Sequence, residues 1–354
     1  MKDSNIFTKI IDRENCRVYL KTSGLFYDTS WIQGLEGGLG YKSFGLITKI
    51  GSEPVCLSIF LWTKKGGILK LAGAPLPGCF TPYMDPVWLK DIDDHVKIKI
   101  IYEQDRFLLK NGFSYIERRS RNDCLVEKMK NNSKYEISFP ETFILKIEPD
   151  IEIMWKKMQG RSRNMVRKAE KYGVRVVQGS GSISEIERFY NMLKIVFAKS
   201  NSSPPHPLSL YKSIVRHLMP ENRLLILSAV LNEKIIAMGI FVHDSKEMHF
   251  LSGASLPEAY KTGANNLIQW YAIKFAVENR LKIYDLGGKG IPSIDKFKAS
   301  FGGEVHRYGR VVFRSKTAFI AERLYKKFIS VRDKIKTKIH DKIYFSFISQ
   351  AYRR

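Results

Sequence analysis

Two stretches of this sequence repeat one pattern at a constant offset of 180 residues, without a gap. They are residues 46–77 and 226–257, and each ends on Gly-Ala followed closely by Leu-Pro, beginning at Gly73 and Gly253. Each copy alternates β-rich runs with polar turns, which predicts strand–turn–strand–turn–strand, an antiparallel meander. A repeat of this length indicates an internal duplication. The 354-residue chain is therefore predicted to have two related halves.

The segments around the two meanders also correspond. A helix is predicted before each meander, and a second helix after it leads into a further strand. The predicted helices are 31–39, 91–111, 184–200 and 264–279, and the added strands are 113–117 and 281–285. Strand, crossover helix and neighbouring strand form a βαβ unit, which has its ligand cleft at the strand ends. We therefore expect an α+β fold with a first domain at 1–150, a second at 151–314 and a tail at 315–354.

The positive charge of the chain is unevenly distributed. The net charge is +24, with 22 Lys and Arg against 19 Asp and Glu in residues 1–150, and 37 against 16 in residues 151–354. A field of this size attracts polyanions such as nucleic acid, nucleotide pyrophosphate or an anionic lipid surface. In the tail, apolar residues recur at helical spacing and predict a basic amphipathic helix: Phe328, Val331, Ile335 and Ile339. That helix either contacts a membrane surface or packs on the first domain.

Compartment and metal content are predicted from what the sequence lacks. The N-terminus lacks the apolar segment of a signal peptide. The sequence also has no run of 18 apolar residues, the length needed to span a bilayer. The four cysteines, which are Cys16, Cys56, Cys79 and Cys124, have no metal-ligand spacing and are predicted to be reduced and mostly buried. The seven histidines show no such spacing either. A cytoplasmic protein without a metal site is expected.

A basic helix is predicted at the start of the second half. Eight of the 21 residues between Trp155 and Arg175 are Lys or Arg, among them Arg161 and Lys168. Arg163 and Arg167 lie one helical turn apart on one face, and arginine forks suit phosphate oxygens. The helix is predicted to bind phosphate groups; a solvated basic face is the alternative.

Two further segments carry candidate site residues. The helix that begins near Ala264 offers free backbone N–H groups for a phosphate or carbonyl oxygen, beside Tyr260, Lys261, Gly263 and Asn265. Acetyl-CoA-binding GNAT enzymes have a Q/R-x-x-G-x-G/A loop at this place, and here its first and last positions do not fit.

The second segment runs from the strand end at Asp285 through Gly287-Gly288 to the pattern F-K-x-x-F-G, which contains Lys298. A lysine held between aromatic residues could stabilise a developing oxyanion. His249 and Asp285 are candidate proton acceptors.

These motifs resemble those of the FemAB/FemX family of peptidoglycan bridge-forming aminoacyltransferases, and of related CelD-type N-acyltransferases. The resemblance rests on NLIQWYAIKFAVENRLKIYDLGG, on FKASFGGE and on the basic RSRNMVRKAEKYGV. More weakly, FYDTSW with Trp31 and TPYMDP with Tyr83 resemble positions near the acceptor cleft. The resemblance implies two tandem GNAT-like domains with the acceptor bound between them. It also implies that Lys298 stabilises transition-state charge and that Arg163 and Arg167 contact phosphate.

The expected activity is transfer of an aminoacyl or acyl group to an amine of a nucleotide- or lipid-linked peptidoglycan or polysaccharide precursor. The donor is aminoacyl-tRNA or acyl-CoA, with no bound cofactor. The segment 173–183 is too short for the helical hairpin that is associated with tRNA binding in some relatives, so the donor stays open. Partners are the anionic envelope precursor, with tRNA and the inner membrane face as further candidates. The alternative function is a catalytically silent GNAT scaffold that binds nucleic acid or a membrane.

Only the second half is predicted to retain the chemistry. The first half has Glu117-Arg118-Arg119-Ser120 where the second has the Asp285 to Gly288 segment, and no F-K-x-x-F-G pattern follows. The first half is interpreted as one wall of the acceptor cleft.

Overall fold

The fold was analysed in a computed structural model that describes residues 6–20, 24–320 and 323. The helices are α1 (Arg13–Cys16), α2 (Thr29–Leu39), α3 (Asp94–Lys110), α4 (Asp123–Glu127), α5 (Ile151–Lys157), α6 (Gly160–Lys171), α7 (Ile183–Ala198), α8 (Leu208–Leu218), α9 (Pro257–Thr262), α10 (Ala264–Glu278) and α11 (Pro292–Ala299). The strands are β1 (Ile6–Ile11), β2 (Lys42–Ile50), β3 (Glu53–Lys65), β4 (Leu69–Ala74), β5 (Val87–Trp88), β6 (Phe113–Ser120), β7 (Tyr135–Ser138), β8 (Glu141–Lys146), β9 (Arg175–Gln178), β10 (Leu224–Leu231), β11 (Lys234–His243), β12 (Glu247–Ser255), β13 (Ile283–Gly288), β14 (Glu304–Arg307) and β15 (Gly309–Arg314).

The duplication predicted from the sequence is present as two similar sheets. The meander β2–β3–β4 corresponds to β10–β11–β12, and all four pairings are antiparallel. After each meander a long helix, α3 or α10, crosses over to a strand that pairs in parallel, β6 with β4 and β13 with β12. The two predicted βαβ units are therefore confirmed. The polar turns place the strands in register, and the buried runs between the turns hold them against the helices.

The duplication also includes the helix in front of each meander, and here the prediction from sequence needs a correction. The predicted helix 184–200 exists as α7, but α8 follows it and is the true counterpart of α2. No helix is predicted from the sequence between residue 200 and the meander at 226–257, where the structure has α8. The helices α2 and α8 pack against each other between the two halves. Gly38 of α2 allows this, since a Cβ there would lie 2.5 Å from the Cα of Leu210.

The two sheets exchange one strand each. The first sheet has the order β1-β2-β3-β4-β6-β15-β7, with β5 on β3, and the second has β14-β8-β13-β12-β11-β10-β9. Strand β8 precedes the predicted domain boundary at 150 yet lies in the second sheet, and β15, before residue 314, lies in the first. The two sheets are therefore not divided at residues 150 and 314, and the domain bounds stay a prediction.

The central core lies between the two halves. One hydrophobic cluster joins buried residues of the first sheet, α2, α7 and α8 to one face of the second sheet. A second cluster lies on the opposite face of the second sheet, under α5, α6 and α10. Because the halves share a core, they pack together.

The tail and the cysteines were also predicted. Of the tail, residues 316–320 and 323 are described and helical, and the apolar positions from Phe328 onward lie outside the described residues. Three of the four free cysteines are buried and Cys124 is exposed. Within the described residues, no helix is long and apolar enough to cross a bilayer, and no group of His, Cys, Asp and Glu could hold a metal ion.

Candidate functional site

The site begins where two parallel strands of the second sheet separate. Strands β12 and β13 pair from Glu247 opposite Ile283 to His249 opposite Asp285, and pairing stops there. Strand β12 continues to Ser255, while β13 stays beside β8, its other neighbour. A β-bulge in the β11–β12 ladder lies at the same level. The strands part into a V whose apex is at His249 and Asp285. The first half has no such opening, because β4 and β6 pair up to the last residue of β4.

A cleft of about 460 Å³ lies in the opening of the V, and we call it the apolar cleft. Its walls come from β11, β12, β13, α7, α9, α10 and α11. It includes the apolar side chains Met238, Phe250, Ile268, Leu286 and Phe297. None of the described residues that line it is Asp or Glu. The cleft therefore suits an uncharged group with a polar end.

Lys298 is the cation of the apolar cleft. It lies on α11, is 9% exposed, and its Nζ donates a hydrogen bond of 2.6 Å to the carbonyl oxygen of Gly288. Gly287 has φ +89°, and a Cβ there would lie 3.5 Å from this Nζ and 3.8 Å from the carbonyl oxygen of Phe250. Burial lowers the pKa of Lys298, and the charges of Asp285 and Asp295 act against that shift. A lysine so held presents its charge at the opening of the V.

A second cleft, of about 840 Å³, lies between the halves, and we call it the charged cleft. It is lined by the loop 24–27 and Tyr83 of the first half, and by the start of β12 with His249. Its charged side chains are of both signs: Asp85, Glu221, Asp244 and Glu247 with Arg121, Arg223 and Lys246. Mixed charge of this kind suits a ligand that carries both an ammonium and an anionic group.

His249 lies at the base of the charged cleft with a carboxylate on each side. Its Nε2 is 3.3 Å from Glu247 Oε2, and its Nδ1 is 3.6 Å from Asp285 Oδ2. A carboxylate only accepts, so a proton on either ring nitrogen faces a carboxylate, and the two together favour the protonated ring. The Nδ1 atom is buried and has no hydrogen-bond partner among the described residues. Burial alone would lower the pKa of His249, but the two carboxylates outweigh it and raise the pKa above 6.5.

Asp285 connects the two halves at the apex of the V. Its Oδ2 accepts from Tyr83 Oη at 2.9 Å, and its Oδ1 accepts from Thr142 Oγ1 at 2.6 Å and from the Gly287 amide at 2.8 Å. Burial would raise the pKa of Asp285, but His249 and these donors hold it below its usual value. The carboxylate is thus ionised, fully buried and oriented by groups from three separate segments.

A salt bridge closes the network on the solvent side. Arg121 follows β6 in the first half and forms a bidentate pair with Glu247 of β12. Its guanidinium also donates to Tyr83 Oη at 3.0 Å and lies over the Tyr83 ring. These contacts hold the pKa of Glu247 at about 2, against the effect of burial, which would raise it. The Glu247 carboxylate is therefore charged beside His249 throughout the neutral range.

The predicted catalytic residues are brought together, and the predicted binding residues only in part. His249, Asp285 and Lys298 all lie around the apex of the V. Tyr260, Gly263 and Asn265 line the apolar cleft, and Tyr83 lines the charged cleft. Within the described part of the chain, Lys261 and Trp31 line neither cleft. Trp31 is fully buried and donates from Nε1 to Thr81, so it belongs to the core.

The basic helix is divided into α5 and α6, and its arginines make structural contacts. Arg163 donates from Nη1 to the carbonyl oxygens of Lys156 and Met158, at 3.1 and 2.6 Å, and so caps the end of α5. Arg161 donates to the carbonyl oxygen of Lys296 on α11. Neither residue lines either cleft within the described residues. Their expected phosphate contact remains a prediction.

The other two cations of the basic helix lie over aromatic rings. The guanidinium of Arg167 is 5.3 Å from the ring centre of Trp155, and Lys168 Nζ is 5.7 Å from that of Tyr172. They too lie outside the linings of the two clefts as far as the structure describes them. Phosphate binding by these two residues is likewise still a prediction.

Several functional residues were not predicted from the sequence. Glu247 could have been found, because residues two apart in a strand share a face, which places Glu247 beside His249. Thr142 could not have been found, because β8 joins the second sheet only in the folded chain. Arg121 reaches Glu247 across 126 positions, and no local pattern marks such a pair.

Comparison with known proteins agrees with this geometry. Residues 156–299 match the family model described as "Acetyltransferase (GNAT) domain". The structure of FemX superposes with a TM-score of 0.67 at 13% identity, over 90% of this chain and 99% of that one. The C-terminal domain of a putative lysylphosphatidylglycerol synthetase from Agrobacterium fabrum gives 0.55 at 12% identity, over 88% and 95%. A tandem GNAT protein from the clavulanic acid biosynthesis pathway gives 0.54 at 8% identity, over 87% and 98%.

No curated protein sequence matches the chain. The solved structures establish the fold, and the family model covers the half that contains the V of β12 and β13. The resemblance to the FemAB/FemX family that the motifs indicated is confirmed at this level. The chain has the fold of FemX, with two GNAT-like halves, and residues 156–299 in its second half match the acetyltransferase (GNAT) domain model.

Proposed function

We propose that this protein is an N-acyltransferase that takes its acyl donor in the apolar cleft and its acceptor amine in the charged cleft. The observation that carries the proposal is the position of His249, Asp285 and Lys298 at the apex of the V. His249 lines the charged cleft and Lys298 lines the apolar cleft. Asp285 lies between them and contacts both halves of the chain. Two substrates entering from opposite sides would meet at this point.

The donor half of the reaction needs a site for a developing oxyanion. Transfer proceeds through a tetrahedral intermediate, and preorganised donors at its oxygen lower the barrier. Lys298 has three N–H donors and uses one on Gly288, so its charge can face the cleft. The β12 backbone beyond His249 has no partner on the β13 side, which makes its amides further candidates.

The acceptor half needs a base for the proton of the amine. We assign proton acceptance to Nδ1 of His249, the ring nitrogen without a hydrogen-bond partner among the described residues, with the Glu247 carboxylate 3.3 Å from Nε2. Once Nδ1 is protonated, the Asp285 carboxylate at 3.6 Å stabilises the imidazolium. An amine arrives mostly as an ammonium ion, and the charged cleft, with four acidic side chains against three basic ones, suits it.

We further propose that the acceptor is an envelope precursor with an anionic nucleotide or lipid group, handled at the cytoplasmic face of the membrane. Arg121, Arg223 and Lys246 in the charged cleft suit phosphate oxygens. Two of the proteins with this fold are FemX and a putative lysylphosphatidylglycerol synthetase domain, which supports an envelope role. Donor carriers consistent with the fold are tRNA and coenzyme A.

The test is a product assay with paired lysine variants. The full chain would be incubated with charged tRNA or acyl-CoA pools and with amine-bearing envelope precursors, and products would be identified by mass spectrometry. Lys298→Ala should lower transfer by about 10²- to 10³-fold, the usual loss when one oxyanion donor is removed.

Lys296→Ala is the matched control, because Lys296 lies on the same helix with an exposed side chain. It should leave the rate unchanged. If Lys298→Ala leaves transfer unaffected, Lys298 does not have the assigned role of stabilising the oxyanion. Binding of polyanions without any transfer, lost on Arg163→Ala and Arg167→Ala, would favour the silent scaffold.

A further inference from the structure

From the side chains of the apolar cleft we infer that the acyl group transferred by this protein is uncharged, which excludes an aminoacyl group with a free ammonium. The inference rests on the proposed function and names the substrate class of its donor site. An ammonium on the acyl group would lie next to the carbonyl carbon. The inference depends on the side chains around that position and on the oxygens there that could accept its hydrogen bonds.

The inner wall of the cleft offers no counter-charge. Met238, Ile268 and Leu286 are each at most 3% exposed and present apolar surface. No Asp or Glu lines the cleft among the described residues. An ammonium in such a wall would lose its water without gaining a carboxylate, which is strongly unfavourable.

The acids nearest to the cleft are already engaged. Asp285 accepts from Tyr83, Thr142 and the Gly287 amide on the far side of the strand. Asp295 accepts from the Gly290 amide. Glu258 pairs with Lys234. None of these carboxylates is among the residues that line the cleft in the described chain.

Two of the neutral side-chain oxygens of the cleft already accept a hydrogen bond. Gln269 Oε1 accepts from the buried Tyr284 hydroxyl, and Asn265 Oδ1 accepts from Ser255 Oγ at 3.0 Å. The charged group that the cleft does contain is Lys298. An α-ammonium would therefore face a like charge at the site of the reaction, whereas an alkyl group would face Met238, Ile268 and Leu286.

The transfer step balances with a neutral donor on either carrier. The acceptor nitrogen forms a bond to the acyl carbonyl carbon, and the bond from that carbon to the carrier sulfur or oxygen breaks. The amine attacks in its neutral form, after its ammonium proton has passed to solvent. One N–H proton of the attacking nitrogen then passes to Nδ1 of His249 and from there, through solvent, to the leaving thiolate or alkoxide. The product is a neutral amide, and the carrier leaves as a free thiol or hydroxyl.

The test compares donors that differ only in one charge. Butyryl-CoA and β-alanyl-CoA differ by a terminal CH₃ against NH₃⁺, and lactyl-tRNA and alanyl-tRNA differ by OH against NH₃⁺. Binding of each to the full chain would be measured by calorimetry without an acceptor. We expect the neutral member to bind at least tenfold more tightly in the pair whose carrier the protein uses, which also identifies that carrier. If neither neutral donor exceeds its charged partner, the inference is wrong.

A negative charge introduced at the cleft gives a second test of the same inference. Ile294 lines the cleft and is 44% exposed, so Ile294→Glu should fold and should shift the preference toward the charged donor by about tenfold or more. Ile183→Glu, at an exposed position near the start of α7, should leave the preference unchanged. An unchanged preference in Ile294→Glu would contradict the inference.

The two proposals fail differently. Preferential binding of a charged donor, with transfer to an amine, overturns the inference and leaves the N-acyltransferase intact. Preferential binding of a neutral donor without transfer to any amine contradicts the proposed function and leaves the donor class standing.

Discussion

At the scale of single residues, the proposed chemistry depends on a histidine whose two nitrogens have different surroundings. Nε2 of His249 faces Glu247 and Nδ1 faces Asp285 without a hydrogen bond. The ring also lies against Phe26, with 4.6 Å between ring centres. Two carboxylates around one buried imidazole favour its protonated form, which makes the charge of His249 the quantity to measure.

The rate of transfer should depend on pH through His249. Its pKa is raised above 6.5, so the imidazole is protonated below that pKa and cannot accept a proton. The rate should fall about tenfold per pH unit on the acid side of a midpoint above pH 6.5. His249→Gln should abolish this limb and lower the rate by about 10²- to 10⁴-fold. Exposed His306→Gln is the control, and a limb that persists in His249→Gln would contradict the assignment.

Glu247→Gln should move the same limb to lower pH. The substitution removes one of the two negative charges that raise the pKa of His249, and it leaves Arg121 without its carboxylate. Both changes favour the neutral imidazole, so the midpoint should decrease. The measurement is the pH dependence of kcat/KM for the two proteins. A purely structural role of Glu247 predicts a lower rate at every pH with an unchanged midpoint.

At the scale of elements, the N-terminus of α10 is positioned by its contact with α6. Gly263 separates α9 from α10 with φ +83°, and a Cβ there would lie 2.4 Å from the carbonyl oxygen of Met165. Asn266 donates to Ser162 of α6, and Ser162 in turn contacts Ser300 next to α11. Helix α6 thus supports the wall of the apolar cleft. The close approach of Gly263 to Met165 leaves no room for a side chain at position 263.

Gly263→Ala should therefore destabilise the protein by about 2 to 4 kcal/mol, from the left-handed backbone and the clash together. Chemical denaturation would measure it. Gly160→Ala is the matched control on α6, because its added Cβ would meet no atom closer than 4.0 Å. Its effect should stay within about 1 kcal/mol. Equal effects of the two substitutions would contradict this account of the α6–α10 contact.

At the scale of the whole molecule, the two halves are held by a shared core, by exchanged strands and by the network at the V. The helices α2 and α8 are counterparts in the duplication, and their mutual contact buries glycines of α2. Strand β8 brings Thr142 to Asp285, and the first half brings Tyr83 to the same carboxylate. The site is therefore complete only when the halves are docked.

Gly38→Ala should disturb this docking. The new Cβ would lie 2.5 Å from the Cα of Leu210, a backbone atom that cannot rotate away. We expect a loss of about 1 to 3 kcal/mol in stability, the usual range for overpacking, and a loss of transfer activity with it. Gly37→Ala is the control on the same helix, because its Cβ would meet the movable Ser213 Oγ. A Gly38→Ala protein as stable as Gly37→Ala would contradict the prediction.

Much of the fold could be predicted because its signals are local. The meanders, the βαβ units and the F-K-x-x-F-G lysine follow from turn residues, strand periodicity and a short motif. The prediction was wrong about the counterpart of α2. The proline-rich loop at 201–207 separates α7 from α8, and no helix was predicted after that loop. Trp31, expected near the acceptor cleft, is fully buried against Phe26, which lines the charged cleft, and its role stays a prediction.

What the sequence determined by itself is the duplicated α+β plan and the half that contains the candidate chemistry, because both depend on residues close together in the chain. The tertiary structure decided which strands share a sheet, where β12 and β13 part, and which side chains surround His249. Asp285 acquires Tyr83 and Thr142 from positions 202 and 143 residues away. Contacts over such separations have no local pattern, and they exist only once the two halves have packed around their common core.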